Sequence, residues 1–96
     1  MQRYLLQARY NHVLSKAKTL ERLLSGHSDA AIRFSDLCLL LESLGFDKST
    51  GGSHHLFRKV GIDERVNLQR DGTNAKPYQV KQVPKVILRN KLAKQL

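Results

Sequence analysis

The clearest apolar pattern in the chain is Leu37, Leu40, Leu41 and Leu44, whose three- and four-residue steps put four leucines on one side of a helix. That spacing predicts a helix from about Asp36 to Leu44. Ser35 suits its N-cap, because a hydroxyl can accept an orphan backbone N–H, and Asp36 suits the positive end of the helix dipole. Gly45 is the expected stop. An earlier helix, from about Tyr10 to Ser25, is expected from Val13, Ala17, Leu20 and Leu24. Gly26 would close it, and His27-Ser28-Asp29 reads as a polar turn.

Beyond Gly45 the period changes from helical to two. Phe46-Asp47-Lys48 reads as a short strand and Ser49 to Ser53 as a turn around Gly51-Gly52. His54 to Lys59 reads as a second strand. Arg65-Val66-Asn67-Leu68-Gln69 alternates polar and apolar residues, as a strand with one buried face does. Arg70 to Asn74 reads as a loop. A last helix is expected within Tyr78 to Asn90, with Val80, Val83, Ile87 and Leu88 on one face. Pro84 either falls in its first turn or kinks it, since proline has no N–H and crowds the preceding turn.

The resulting order is α-α-β-β-β-α. It predicts an α+β fold with a three-stranded antiparallel sheet, helices on one face and the other face open to a ligand. Residues 1–28 are expected to form an N-terminal helical extension and residues 29–96 the α+β domain, the two making a single compact unit. There is no internal repeat or low-complexity tract.

Charge narrows the choice of partner. Seventeen Lys and Arg against eight Asp and Glu leave the 96-residue chain at +9, with a pI of about 10.1. Such a chain attracts polyanions, and each phosphate it neutralises releases counterions. From Lys76 to Leu96 there are six cations and no acid, which makes either a solvated face or a phosphate track. A single cysteine, Cys38, excludes an internal disulfide framework and a multi-cysteine zinc site; it is expected to pack in its helix or at the helix edge. No apolar run approaches the roughly 20 residues of a membrane span, and Met1 to Tyr10 carries no secretory signal pattern. A cytoplasmic protein with no membrane partner is the expectation.

The chemistry concentrates in Gly51-Gly52-Ser53-His54-His55-Leu56-Phe57-Arg58-Lys59. An imidazole, with a pKa near ~6.5, takes or gives a proton at neutral pH. That suits RNA cleavage, in which a 2′-hydroxyl loses a proton and a leaving 5′-oxygen gains one. Arg58 and Lys59 are candidates to steady the phosphate, with Ser53 beside them. On spacing alone, surface decoration or a hydrogen-bonded core histidine is the commoner case. A metal site has little support, because adjacent strand residues point to opposite faces and no further ligand cluster is evident. Asn67 and Gln69, with Lys76, Tyr78, Gln79 and Lys81, interleave amides, cations and an aromatic ring. Amides can read phosphate, sugar or base edges, and Tyr78 could stack on an unpaired base. A solvated helix start with a loop tyrosine is the plainer alternative. His12 and His27 receive no role, and Asp36 with Glu42 makes no catalytic carboxylate pair.

From about Phe34 to Leu92 the chain resembles the HicA toxin family, small ribonucleases of toxin–antitoxin systems. The matching pieces are Asp36-Leu37 through Leu44-Gly45-Phe46, then Gly52-Ser53-His54-His55-Leu56-Phe57. Asn67-Leu68-Gln69 and Ala75-Lys76-Pro77-Tyr78-Gln79-Val80-Lys81-Gln82 are similar to one branch of that family. The resemblance implies a double-stranded-RNA-binding-domain-like fold, metal- and cofactor-independent cleavage of messenger RNA, and inhibition by a HicB-type antitoxin. It also implies a catalytic histidine in the Gly-Ser-His-His block, at His54 or, in the alignment of some members, at His55. The helix before about Ala30 and the proline at Pro84 depart from the family pattern. Three roles are open to the N-terminal helix: packing on the core, covering the site, or pairing two chains as a homodimer.

Overall fold

The computed structural model describes residues 16–25 and 32–95. Tyr10 to Ser15, with His12 and Val13, and the expected turn at Gly26 to Asp29 with His27 lie outside the described residues. Helix α1 covers 16–24. It is followed by α2 (Phe34–Ser43), β1 (Asp47–Gly51), β2 (His54–Arg58), β3 (Val66–Asp71), β4 (Asn74–Ala75), α3 (Pro77–Val80), α4 (Gln82–Arg89) and a 3-10 turn at Leu92–Gln95. The four strands form one antiparallel sheet in the order β1-β2-β3-β4.

The four leucines of α2 are fully buried, as their spacing requires. The helix begins earlier than expected. Its N-cap is Arg33, which makes no side-chain cap, and Ser35 lies inside the first turn. A different restraint replaces the cap. The Phe34 N–H donates to Thr73 O, the Ala75 N–H donates to Ile32 O, and Arg33 pairs with Asn74 as an isolated bridge. The chain entering α2 is therefore stitched to the edge of the sheet. Gly45 closes the helix at φ +93°, where the Phe46 N–H reaches back to Leu41 O.

The expected three strands become four. The segment read as a loop from Arg70 to Asn74 is largely strand, folded back at Gly72-Thr73 so that Arg70 pairs with Ala75 and Asp71 with Asn74. β1 also runs on to Gly51, so the turn before His54 holds only Gly52 and Ser53. Gly52 takes φ +60° while Ser53 does not enter the left-handed region, the pattern of a two-residue type II′ hairpin.

The last helical region is two helices meeting at Lys81. Pro77 occupies the first turn of α3, and Pro84 falls in the first turn of α4. The buried side of this pair is Val80, Val83, Val86 and Ile87. Leu88, expected on that face, is exposed. The expected stripe of α1 is also corrected. Leu20 and Leu23 are buried, whereas Ala17 and Leu24 face outward. Leu20 and Leu23 join the same core as Phe57, Val66 and Leu68 of the sheet, the α2 leucines and Ile87. Cys38 is buried there, and burial pushes its thiol pKa up, which makes it a poor nucleophile.

Two polar ties fix the periphery. Glu64, in the loop between β2 and β3, accepts from Arg89 Nη1 at 2.7 Å and Asn90 Nδ2 at 3.0 Å, which anchors the end of α4. Lys48 on β1 lies 3.5 Å from Glu42 on α2. No helix of the described residues is long and apolar enough to cross a membrane.

Candidate active site

Strand pleating sends His54 and His55 to opposite faces of the sheet. Leu68, the partner of His55 in the register, points into the core, and Gln69, the partner of His54, does not. His55 is half-buried beneath the sheet. Its ring meets Phe34 edge-on at 4.7 Å between centroids, and Arg70 stacks over the same phenylalanine at 4.6 Å. The His55 Nδ1 is shielded from solvent and makes no hydrogen bond among the described residues. Desolvation first, then the charges of Lys48 and Arg70, holds its pKa below the ordinary imidazole value.

His54 is the opposite case. It is exposed at the start of β2, immediately after the Gly52-Ser53 turn. The hairpin register sets it directly across from Gln69 and diagonal to Asn67, so both amides lie beside the ring. The His54 Nδ1 is 3.4 Å from Asn67 Oδ1 and 3.3 Å from Asn67 Nδ2. On the other side of the ring, Nε2 lies 3.2 Å from Gln69 Nε2, which also donates to Ser53 Oγ at 3.4 Å.

Gln79 continues this arrangement into α3. Only 4% of its surface is exposed. Its Oε1 accepts the Gln69 backbone N–H at 2.6 Å, and its Nε2 donates to Gln69 Oε1 at 3.3 Å and to Tyr78 Oη at 3.2 Å. The helix carrying Gln79 is pinned in turn, because the Lys76 N–H donates to Gln69 O and the Lys76 carbonyl accepts from the N–H groups of Gln79 and Val80. Ser53, His54, Asn67, Gln69, Tyr78 and Gln79 thus form one hydrogen-bonded chain, assembled from a turn, two strands and a short helix.

The remaining expected site residues are elsewhere. Arg58 shares the open face with His54 but sits four residues along β2, about 13 Å away at the usual rise of a strand. Its register partner is the acid Asp47. Lys59 points to the other side, the end of its side chain lying over Gly45. Both line a separate cavity of about 330 Å³ with Asp63, Glu64 and Arg65. Neither Arg58 nor Lys59 is therefore brought to the histidine. Lys76 is half-buried at the start of α3, and Lys81 is exposed at the joint with α4.

Asn67 and Gln69 are legible in the sequence as candidate contact amides. Their contact with His54 is not, although two residues two apart on one strand always share a face. What is missing is the register of the hairpin. Among the described residues, no three of His, Cys, Asp and Glu converge to hold a metal ion. Comparison of the chain with protein-family models, with curated proteins and with solved structures returns no match.

Proposed function

We propose that this protein is a ribonuclease that cuts single-stranded messenger RNA by proton transfer through His54, as its resemblance to the HicA family implies. The observation that carries the reading is an exposed imidazole held on both sides by amides of the neighbouring strand, at a tight turn on the open face of a sheet. In the proposed reaction, His54 takes the proton of a ribose 2′-hydroxyl as that oxygen attacks the adjacent phosphorus. The bond to the 5′-oxygen breaks, and the proton passes back to that leaving oxygen, so a 2′,3′-cyclic phosphate forms and the imidazole is restored. The amides of Asn67 and Gln69 hold the ring and offer donors to the phosphate, and Tyr78 offers a face for stacking an unpaired base.

The α+β order and antiparallel sheet agree with a double-stranded-RNA-binding-domain-like fold carrying one added short strand. The net charge of +9 supplies the attraction to a polyanion, and a HicB-type antitoxin is the proposed inhibitor. His55 is the weaker choice for catalysis, because its ring packs on Phe34 and one nitrogen is shut away from solvent.

The test is inducible expression of the wild type beside His54→Ala and His55→Ala, scored by growth arrest and RNA integrity. His54→Ala is expected to lose at least about 100-fold of cleavage, the usual weight of a general acid–base group. His55→Ala is expected to retain cleavage in proportion to its folded fraction. A fully active His54→Ala sinks the mechanism.

One observation favours a non-catalytic RNA-binding module instead. Among the described residues, the groups hydrogen-bonded around His54 are amides and a hydroxyl, with no carboxylate to stabilise an imidazolium. Binding without cleavage, in EDTA and on ribosome-bound messenger alike, would establish that alternative.

A further inference from the structure

The hydrogen bonds that run from Gln79 to His54 have a direction, and it is fixed at the backbone. A backbone N–H can only donate, so the Gln79 atom 2.6 Å from the Gln69 nitrogen must be the carbonyl oxygen. The amide nitrogen of Gln79 then faces Gln69, and it can only donate. The Gln69 atom that receives it, at 3.3 Å, must be Oε1. This turns Gln69 Nε2, also a pure donor, toward Ser53 Oγ at 3.4 Å and His54 Nε2 at 3.2 Å. A ring nitrogen that receives a donor must present its lone pair, so the neutral imidazole carries its proton on Nδ1. Asn67 offers Nδ1 both its amide atoms, Oδ1 at 3.4 Å and Nδ2 at 3.3 Å, so the Gln69 side decides the tautomer and Oδ1 is the atom that accepts the Nδ1 proton.

We infer that Gln79 is a positioning residue that sets the tautomer of His54, acting through Gln69 to hold the neutral ring in its Nδ1–H form with a basic Nε2 turned to the Ser53 side. The inference rests on the reading of His54 as the proton-transfer group. Gln79 does not touch the ring. Its burial against the sheet is what makes the relay rigid: a flipped Gln79 amide would set its nitrogen against the Gln69 backbone N–H, and a flipped Gln69 amide would set two amide nitrogens face to face. A histidine side chain in water favours the opposite, Nε2–H, form. The relay therefore presents as a base the nitrogen that water would have protonated. When RNA binds, a 2′-hydroxyl replaces the Gln69 N–H at Nε2, and the displaced donor remains beside the reacting oxygen.

Tautomers are read directly by long-range proton–nitrogen correlation on the ¹⁵N-labelled full chain at about pH 8, where an ordinary imidazole is neutral. The His54 signals are assigned by their loss in His54→Gln. The wild type is expected to show a proton-bearing Nδ1 and a bare Nε2. In Gln79→Glu the carboxylate still accepts the Gln69 N–H but cannot donate. The Gln69 amide then turns over, and His54 switches to the Nε2–H form. Gln79→Met deletes the relay without adding charge and moves His54 toward the Nε2–H form of free histidine. RNA cleavage by Gln79→Met is expected to fall roughly 10- to 100-fold, as for a misoriented or wrongly protonated base.

A wild-type His54 found as Nε2–H overturns the inference, whatever the variants do. So does a folded Gln79→Glu or Gln79→Met, judged by its backbone amide spectrum, that keeps the Nδ1–H form. If the tautomer switches as described in a protein that never cuts RNA, the relay stands and the ribonuclease reading falls.

Discussion

His54 and His55 are neighbours in the chain with opposite surroundings, and the difference comes from one pleat of a strand. The exposed ring is held on either side by the amides of Asn67 and Gln69. The other is wedged against Phe34 with a shielded nitrogen and the cations Lys48 and Arg70 nearby. Because the folded protein holds the pKa of His55 below its ordinary value, the unfolded chain takes up that proton first as pH falls. The contribution of the neutral ring to stability is complete above about pH 6.5 and is lost as pH drops toward the folded-state value. His55→Phe removes both this titration and the unpaired nitrogen. Its urea midpoint should fall less than that of the wild type between pH 7.5 and pH 5, and it should keep RNA cleavage. An equal fall in the two proteins would show that His55 does not titrate against the fold.

At the scale of elements, the placement of His54 depends on a hairpin only two residues long. Gly52 at φ +60° supplies the left-handed residue of that turn. Nothing lies within 4 Å of a Cβ added there, so the cost of Gly52→Ala is conformational, about 1–2 kcal/mol. Gly51 has equally open space and lies in β1 without a positive φ, so Gly51→Ala should stay within about 0.5 kcal/mol. Denaturant titration of the two variants separates the explanations, since equal losses would indicate a steric rather than a torsional demand. The joint between α3 and α4 has a similar local logic. Pro84 sits in the first turn of α4, where a missing N–H is tolerated, so the chain makes two short helices rather than one kinked one.

For the molecule as a whole, helix α1 shares one core with the sheet and the later helices. Leu23 on α1 is 1% exposed and belongs to the common core, whereas its neighbour Leu24 is 38% exposed. Leu23→Ala should cost about 2–4 kcal/mol in global unfolding, and Leu24→Ala less than about 1 kcal/mol. A Leu23→Ala variant as stable as the wild type would mean that α1 contributes nothing to the core. Of the three roles open to the N-terminal helix, packing on the core is the one that residues 16–24 display.

The leucine stripe of α2, the glycine that ends it, the strands of the histidine block and the net charge were all legible in the sequence. Each depends on local period, local backbone preference or a simple sum. The stripe of α1 differs from its expectation because Leu20 serves either of two overlapping faces, and only the packed core selects the one with Leu23. β4 was illegible because a two-residue strand exists only through its partners, Asp71 and Arg70 on one side and the entry to α2 on the other. The same holds for the site. The sequence by itself determined which groups could move a proton or grip a phosphate. Tertiary structure alone decided that Arg58 and Lys59 stand apart from His54 while Gln79 reaches it through Gln69, because register and the crossing of β3 by α3 are set by long-range pairing that no local window contains.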